Sequence, residues 1–143
     1  MSRCEVSVVL PAFNAAGSIG RAIEGVRAQS MQRWELIVVD DGSSDDTFRA
    51  ALEAAGGDQR VRLERIEHGG IARALNAGIA LARSRLIARM DADDDLYPER
   101  LEAQVGFFLT HPAIGVAGSL VEFGGDAAVA RGYVEGRDFI MAA

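Results

Sequence analysis

What most constrains this chain is an alternation: a short apolar run, then a stretch with helical spacing, repeated along most of its length. Val6-Ser7-Val8-Val9-Leu10 reads as a strand stopped by Pro11. Leu36-Ile37-Val38-Val39 reads as a second, and its unbroken apolar character is that of a strand covered on both faces. Val61 to Ile66 makes a weaker third, and Leu86-Ile87-Ala88-Arg89-Met90 a fourth. Between these runs, Ser18 to Ala28 carries Ile19, Ala22, Ile23 and Val26 at helical spacing. Asp45 is placed as the N-cap of a helix through about Ala55, which Gly56-Gly57-Asp58 closes. A third helix runs from about Ile71 to Ala82, striped by Ile71, Leu75, Ile79 and Ala82. Pro98 fits the first turn of a further helix through about Leu109, broken by His111-Pro112. Ile114 to Ala117 reads as a fifth strand, which Leu120 to Phe123 can extend, and from Gly124 the pattern fades.

Strands and helices that alternate through short links assemble as parallel βαβ units with right-handed crossovers. The expected fold is therefore α/β, a mostly parallel Rossmann-like sheet flanked by helices. At 143 residues and 49% hydrophobic, the chain has the size and the apolar content of one compact domain. In such sheets ligands collect at the carboxyl ends of the strands. The polar residues fall there: Asn14 after the first strand, Asp40 and Asp41 after the second, His68 after the third, and Asp91 to Asp95 after the fourth.

The acidic run is the strongest chemical signal. Four aspartates in the segment Asp91-Ala92-Asp93-Asp94-Asp95 repel one another when charged and empty. A hard divalent cation, Mn2+ or Mg2+, relieves that repulsion, takes oxygen ligands, and is shared with substrate phosphates. Asp91 and Asp93, separated by the small Ala92, can both reach one ion. The alternative is a solvated acidic turn in which Asp94 or Asp95 caps the Pro98 helix. A calcium loop is excluded, because Leu96 stands where glycine is required and a strand precedes the run. A phosphatase-type pair would follow the first strand, not the fourth. The formal charge of -6 leaves no electrostatic footprint for nucleic acid. In so acidic a protein, a polyanionic ligand needs a local cation.

The other strand ends carry weaker signals. Pro11-Ala12-Phe13-Asn14 offers an aromatic that can stack on a planar base or pack against a helix. No G-x-G-x-x-G follows the first strand, which argues against a dinucleotide site. In Asp40-Asp41-Gly42-Ser43, one carboxylate can accept from a base or a ribose while the other caps a turn. Gly69-Gly70 with Arg73 opens a helix whose N-terminal amides favour phosphate. His68 and His111 read as turn residues, and Arg83 and Arg85 as complements to a helix C-terminus. The lone Cys4 is a spectator with no zinc cluster around it. No signal peptide and no membrane-spanning run is visible, so a cytoplasmic location is expected, within a parent protein free to carry membrane segments.

In order and spacing, VSVVLPAFN, ELIVVDDGSSDDT, GGIARALNAGI and MDADDDLYPERLE resemble the family 2 glycosyltransferases of the GT-A fold, from Val6 to about Val121. The resemblance implies an inverting transfer from a nucleoside diphosphate sugar, UDP-sugar favoured, to a saccharide or lipid-linked acceptor hydroxyl. It implies Phe13 beside the base and Asp41 contacting it. Asp91 and Asp93 match the Asp-x-Asp motif that holds the ribose and the metal-bound pyrophosphate, and Arg73 is a weaker match ahead of the helix asparagine, here Asn76. The implied donor set is Pro11, Ala12, Phe13, Asn14, Asp41, Arg73, Asp91, Ala92 and Asp93, with Asp91 and Asp93 as metal ligands. The family's general base lies well past the Asp-x-Asp motif. Beyond Val121 only Glu122, Asp126, Glu135 and Asp138 are offered, none in a motif, so no catalytic residue is assigned. We therefore expect residues 1–123 to form the nucleotide-sugar core, and 124–143 to begin an acceptor-side region or form a weakly structured tail. The GT-A fold is expected to be truncated, to transfer poorly alone, and to self-associate through apolar surface. A metal-dependent nucleotidyltransferase, lacking its glycine-rich basic signature here, and a non-enzymatic nucleotide-sugar-binding module are the rival readings.

Overall fold

The structure, a computed structural model, describes residues 4–120 and 137–142. Its elements are β1 (Val6–Ala12), α1 (Ile19–Arg27), β2 (Trp34–Asp40), α2 (Thr47–Ala55), β3 (Val61–Arg65), α3 (Ile71–Leu81), β4 (Leu86–Arg89), α4 (Arg100–Thr110), β5 (Val116–Leu120) and β6 (Arg137–Ala142). They build a six-stranded sheet in the order β3-β2-β1-β4-β6-β5. The β1–β2, β2–β3 and β1–β4 pairs are parallel, as the alternation requires. The chain first winds outward from β1 to β3, and α3 then carries it back to place β4 on the other side of β1. That reversal is a topological switch point, and it opens at the carboxyl ends of β1 and β4.

Burial follows from the pattern. Every residue of β1 and β2 is buried. Val6, Val8, Leu10 and Ala12 share one core with Ile19, Ile23 and Val26 of α1, Ala51 and Ala55 of α2, and Leu101, Val105 and Phe108 of α4. Ile37 and Val39 point to the opposite face and meet Ala74 of α3. The α3 helix lies close on the sheet because position 78 is glycine: a Cβ there would sit 2.4 Å from Val9 Cγ1 and 3.3 Å from Val39 Cγ2.

The structure corrects the sequence reading in three places. Pro11 does not stop the first strand but belongs to β1, paired with Val39. It is tolerated because β4 pairs only with Ser7 to Val9, so no second ladder needs the missing N–H at Pro11. Asp45 is not the N-cap of α2, since Asp46 holds that position. Instead the Asp45 carboxylate accepts from the amide and hydroxyl of Thr47 and, at 3.2 Å, from the Ala16 amide, tying the β1–α1 turn to the β2–α2 turn. Past Gly124, where the sequence shows no strand, Arg137–Ala142 forms β6, antiparallel to both β4 and β5. The possible strand extension at Val121 to Phe123 lies outside the described residues.

Candidate functional site

The carboxyl ends of β1 and β2 and the N-terminus of α3 enclose a cavity of about 270 Å3, lined by Pro11, Ala12, Phe13, Asp41, His68, Gly70, Ile71 and Ala74. Four of the expected donor residues, Pro11, Ala12, Phe13 and Asp41, are thus brought together. Its polar anchor is Asp41, which is nearly fully buried. Its Oδ1 accepts from the Gly69 amide at 2.9 Å and its Oδ2 from the Gly70 amide at 2.8 Å. The His68 Nδ1 lies 2.9 Å from Oδ2. Burial pushes the Asp41 carboxyl up, but the two glycine amides and His68 together outweigh it, so its pKa falls below the ordinary carboxylate value. Asp41 is therefore an ionised acceptor that also pins the Gly69-Gly70 segment leading into α3.

Phe13 and His68 form the aromatic wall. Their rings stack with centroids 4.3 Å apart and planes at 25°. His68 reaches this position because residue 42 is glycine at φ 68°, and a Cβ there would lie 2.8 Å from the His68 backbone nitrogen. The sequence reading set His68 aside as a turn residue. The signal that marks it is its place after the third strand, on the same sheet edge as Asp41. Ile71 was read only as a helix-stripe residue and Ala74 was not singled out, and both line the cavity.

The remaining expected donor residues do not line this cavity. Asn14 takes a left-handed φ of 49°, and its Oδ1 accepts from Ser44 N at 2.9 Å and Ser44 Oγ at 3.2 Å. Its side chain thus bridges the β1 and β2 ends. Arg73 is exposed and folds its stem over Gly69, whose missing Cβ would lie 2.3 Å from Arg73 Cδ. Ala92 buries its methyl in the core shared with α1 and α4.

In the acidic turn the aspartates are not equivalent. Asp91 is held by Arg89, whose Nη2 lies 2.9 Å and 3.0 Å from the two carboxylate oxygens. The Asp91 amide donates to Asp94 Oδ2 at 3.1 Å, which folds the turn. Asp95 pairs with Arg21 at 2.8 Å on the surface. Asp93 is exposed. Two arginines thus offset charge in the acidic turn, a pairing that neither the metal reading nor the solvated-turn reading included. Among the described residues, no three His, Cys, Asp or Glu side chains converge on a metal position. The acidic turn nonetheless suits an ion completed by substrate phosphates and water, because such ions use one or two carboxylates instead of a protein cage. None of the helices among the described residues is long and apolar enough to cross a membrane.

Comparison with known proteins gives a consistent result. The family model described as glycosyl transferase family 2 matches residues 7–134. The succinoglycan biosynthesis protein ExoO of Rhizobium meliloti is 45% identical over 102 residues, covering 71% of this chain and 29% of that protein. The Escherichia coli UDP-Glc:alpha-D-GlcNAc-diphosphoundecaprenol beta-1,3-glucosyltransferase WfgD is 38% identical over 105 residues, covering 73% and 41%. Among solved structures, the mannosyltransferase PcManGT of Pyrobaculum calidifontis, in complex with GDP-Man and Mn2+, superposes with a TM-score of 0.69 at 28% identity, covering 86% of this chain and 37% of that one. The chain spans less than half the length of these relatives.

Proposed function

The chain belongs to glycosyl transferase family 2, and from that premise we propose that its strand-end cavity seats the base of a nucleoside diphosphate sugar, UDP-sugar favoured, for an inverting, metal-dependent transfer to an acceptor hydroxyl. The observation that carries this reading is the meeting of Phe13, Asp41 and His68 around one cavity at the end of the sheet. An aromatic face and an ionised acceptor are what a planar base with a ring N–H needs. Further support comes from one relative whose name carries UDP-Glc and alpha-D-GlcNAc-diphosphoundecaprenol, and from a structural neighbour complexed with GDP-Man and Mn2+.

In this reading, Phe13 stacks on the base and Asp41 accepts its N–H. Asp93, with Asp91 once released from Arg89, would hold a divalent cation at the diphosphate. The cation would offset the charge that gathers on the departing diphosphate. The half of the chemistry that deprotonates the acceptor is assigned to none of the described residues. Leaving-group stabilisation and nucleophile activation are separable contributions, so the donor half can be tested alone.

The test is calorimetric titration of this chain with UDP, UDP-sugars, GDP and GDP-sugars, each in Mn2+ and in EDTA. Binding in Mn2+ that weakens at least ~10-fold in EDTA is expected, since the cation carries much of the diphosphate contact. Equal affinity in EDTA would refute metal bridging. Absence of binding under both conditions would refute the donor site.

A further inference from the structure

Building on the nucleotide site proposed above, we propose that His68 is a specificity-determining residue. Its role is to restrict the cavity to bases that carry a ring N–H, uracil and guanine, by holding Asp41 as an acceptor and adding a second ring to the wall.

Proton positions follow from the partners. The His68 Nδ1 has two neighbours within hydrogen-bond reach, Asp41 Oδ2 at 2.9 Å and the Asp41 carbonyl oxygen at 3.1 Å. A carbonyl oxygen only accepts, so Nδ1 carries the hydrogen and donates. Asp41 can be counted in the same way. A carboxylate offers about four acceptor positions. The Gly69 amide uses one on Oδ1, and the Gly70 amide and His68 use both on Oδ2. One position on Oδ1 is left for a ligand, and it can only accept.

The other lining residues, Pro11, Ala12, Phe13, Gly70, Ile71 and Ala74, have no polar side-chain atom. The Asp41 carboxylate is therefore the acceptor that the lining side chains present to a ligand. Uracil presents N3–H and guanine N1–H to such an edge. Cytosine N3 and adenine N1 present lone pairs instead, which would leave two acceptors facing each other without a proton. A site built to receive a donor rejects an analogue that lacks it, because its own buried polar groups are left unpaired.

The contribution of His68 is separable from that of Asp41. Without the Nδ1–H, Asp41 Oδ2 loses a partner, and the carboxyl is freer to turn or take a proton and so admit the wrong base. Without the imidazole ring, the wall loses the surface stacked on Phe13. Two substitutions isolate these effects. His68→Asn places an amide N–H near the Nδ1 position but has no ring. His68→Phe keeps a ring to stack on Phe13 but has no nitrogen.

The experiment measures Kd for UDP, GDP, ADP and CDP in Mn2+, for the unsubstituted chain and both variants. Folding of each is checked by Trp34 fluorescence. The unsubstituted chain should prefer UDP or GDP over ADP and CDP by ~10-fold or more, the scale of one unpaired buried group. His68→Phe should narrow that gap to within ~3-fold. His68→Asn should keep the preference while weakening all four nucleotides by a similar factor of roughly 3- to 10-fold, the scale of one aromatic contact. A merely structural role would weaken all four alike in both variants and leave the preference intact. If the unsubstituted chain discriminates and His68→Phe discriminates equally, or if the unsubstituted chain binds all four alike, the inference is overturned while the nucleotide site stands. If no nucleotide binds the unsubstituted chain, the nucleotide site itself is refuted, and this inference falls with it.

Discussion

Replacing Asp41 with asparagine tests how far the site and the fold depend on the same carboxylate. The side chain keeps its shape, but only one of its two termini can still accept. Asp41 receives hydrogen bonds at both, from Gly69 N at 2.9 Å on one oxygen and from Gly70 N at 2.8 Å on the other, with His68 also at the second. An asparagine that keeps its oxygen on Gly70 and His68 must turn its NH2 group toward the Gly69 N–H, donor against donor. Hydrogen bonds to a charged group contribute about 1.5–3 kcal/mol, and those to a neutral one about 0.5–1.5 kcal/mol. Water can reach the abandoned amide, because Gly69 is exposed. The expected loss is therefore about 1–3 kcal/mol, or a Tm lowered by roughly 3–9 °C for a domain of this size.

The assay is urea unfolding followed by Trp34, the single tryptophan, which is buried with the Arg60 guanidinium 3.8 Å from its ring centroid. The pH dependence has a definite sign. The folded pKa of Asp41 is lowered from 3.8, so the stability it contributes is complete above 3.8 and is lost as pH falls through the lower folded value. The gap between the unsubstituted chain and Asp41→Asn should be widest at neutral pH and should close in stronger acid. Equal midpoints at neutral pH, or a gap that widens in acid, would refute the role given to Asp41.

Four further substitutions follow from packing and charge. Gly78→Ala should destabilise by about 1–2 kcal/mol in the same assay, because overpacking against Val9 and Val39 exceeds the gain in helix propensity. An unchanged or raised midpoint would mean that α3 can ride outward at no cost. Asp93→Ala should abolish Mn2+-dependent nucleotide binding in calorimetry with little change in stability. Asp95→Ala, which loses only an exposed pair with Arg21, should keep binding and lose less than ~1 kcal/mol of stability. Arg89→Gln should bind Mn2+ more tightly in the absence of nucleotide, by up to ~5-fold, because Asp91 loses its internal cation. A manganese resonance titration showing weaker binding would instead make Arg89 a support for Asp91.

The outward half of the fold was legible because its signals are local. An unbroken apolar run gave β2, and the spacing of Ile19, Ala22, Ile23 and Val26 gave α1, the four residues that the structure buries. Strand ends could be read as a common edge because parallel topology leaves little choice about where they point. The features that escaped depend on partners distant in sequence. β6 is short, and it pairs with β4 more than forty residues earlier, so nothing in its own spacing identifies it. Pro11 looks like a stop until it is known that β4 pairs only as far as Val9. The acidic turn was legible as a cluster, but its internal pairing was not, because Arg89 reads as one more residue of a strand and Arg21 as a helix surface charge. The importance of His68 required both Gly42, which makes room for it, and Phe13, which stacks on it.

The central claim, that the strand-end cavity holds the nucleotide, is tested most directly by following backbone amide resonances of 15N-labelled protein during titration with UDP and with GDP in diamagnetic Mg2+. The account predicts saturable shifts concentrated at Phe13, Asp41, His68 to Ile71, and Asp91 to Asp93, all lost when EDTA replaces Mg2+. Shifts concentrated instead at the opposite end of the sheet, around Trp34, Glu35, Arg60 and Arg83 where a second crevice lies, would contradict it, as would no saturable shift with either nucleotide.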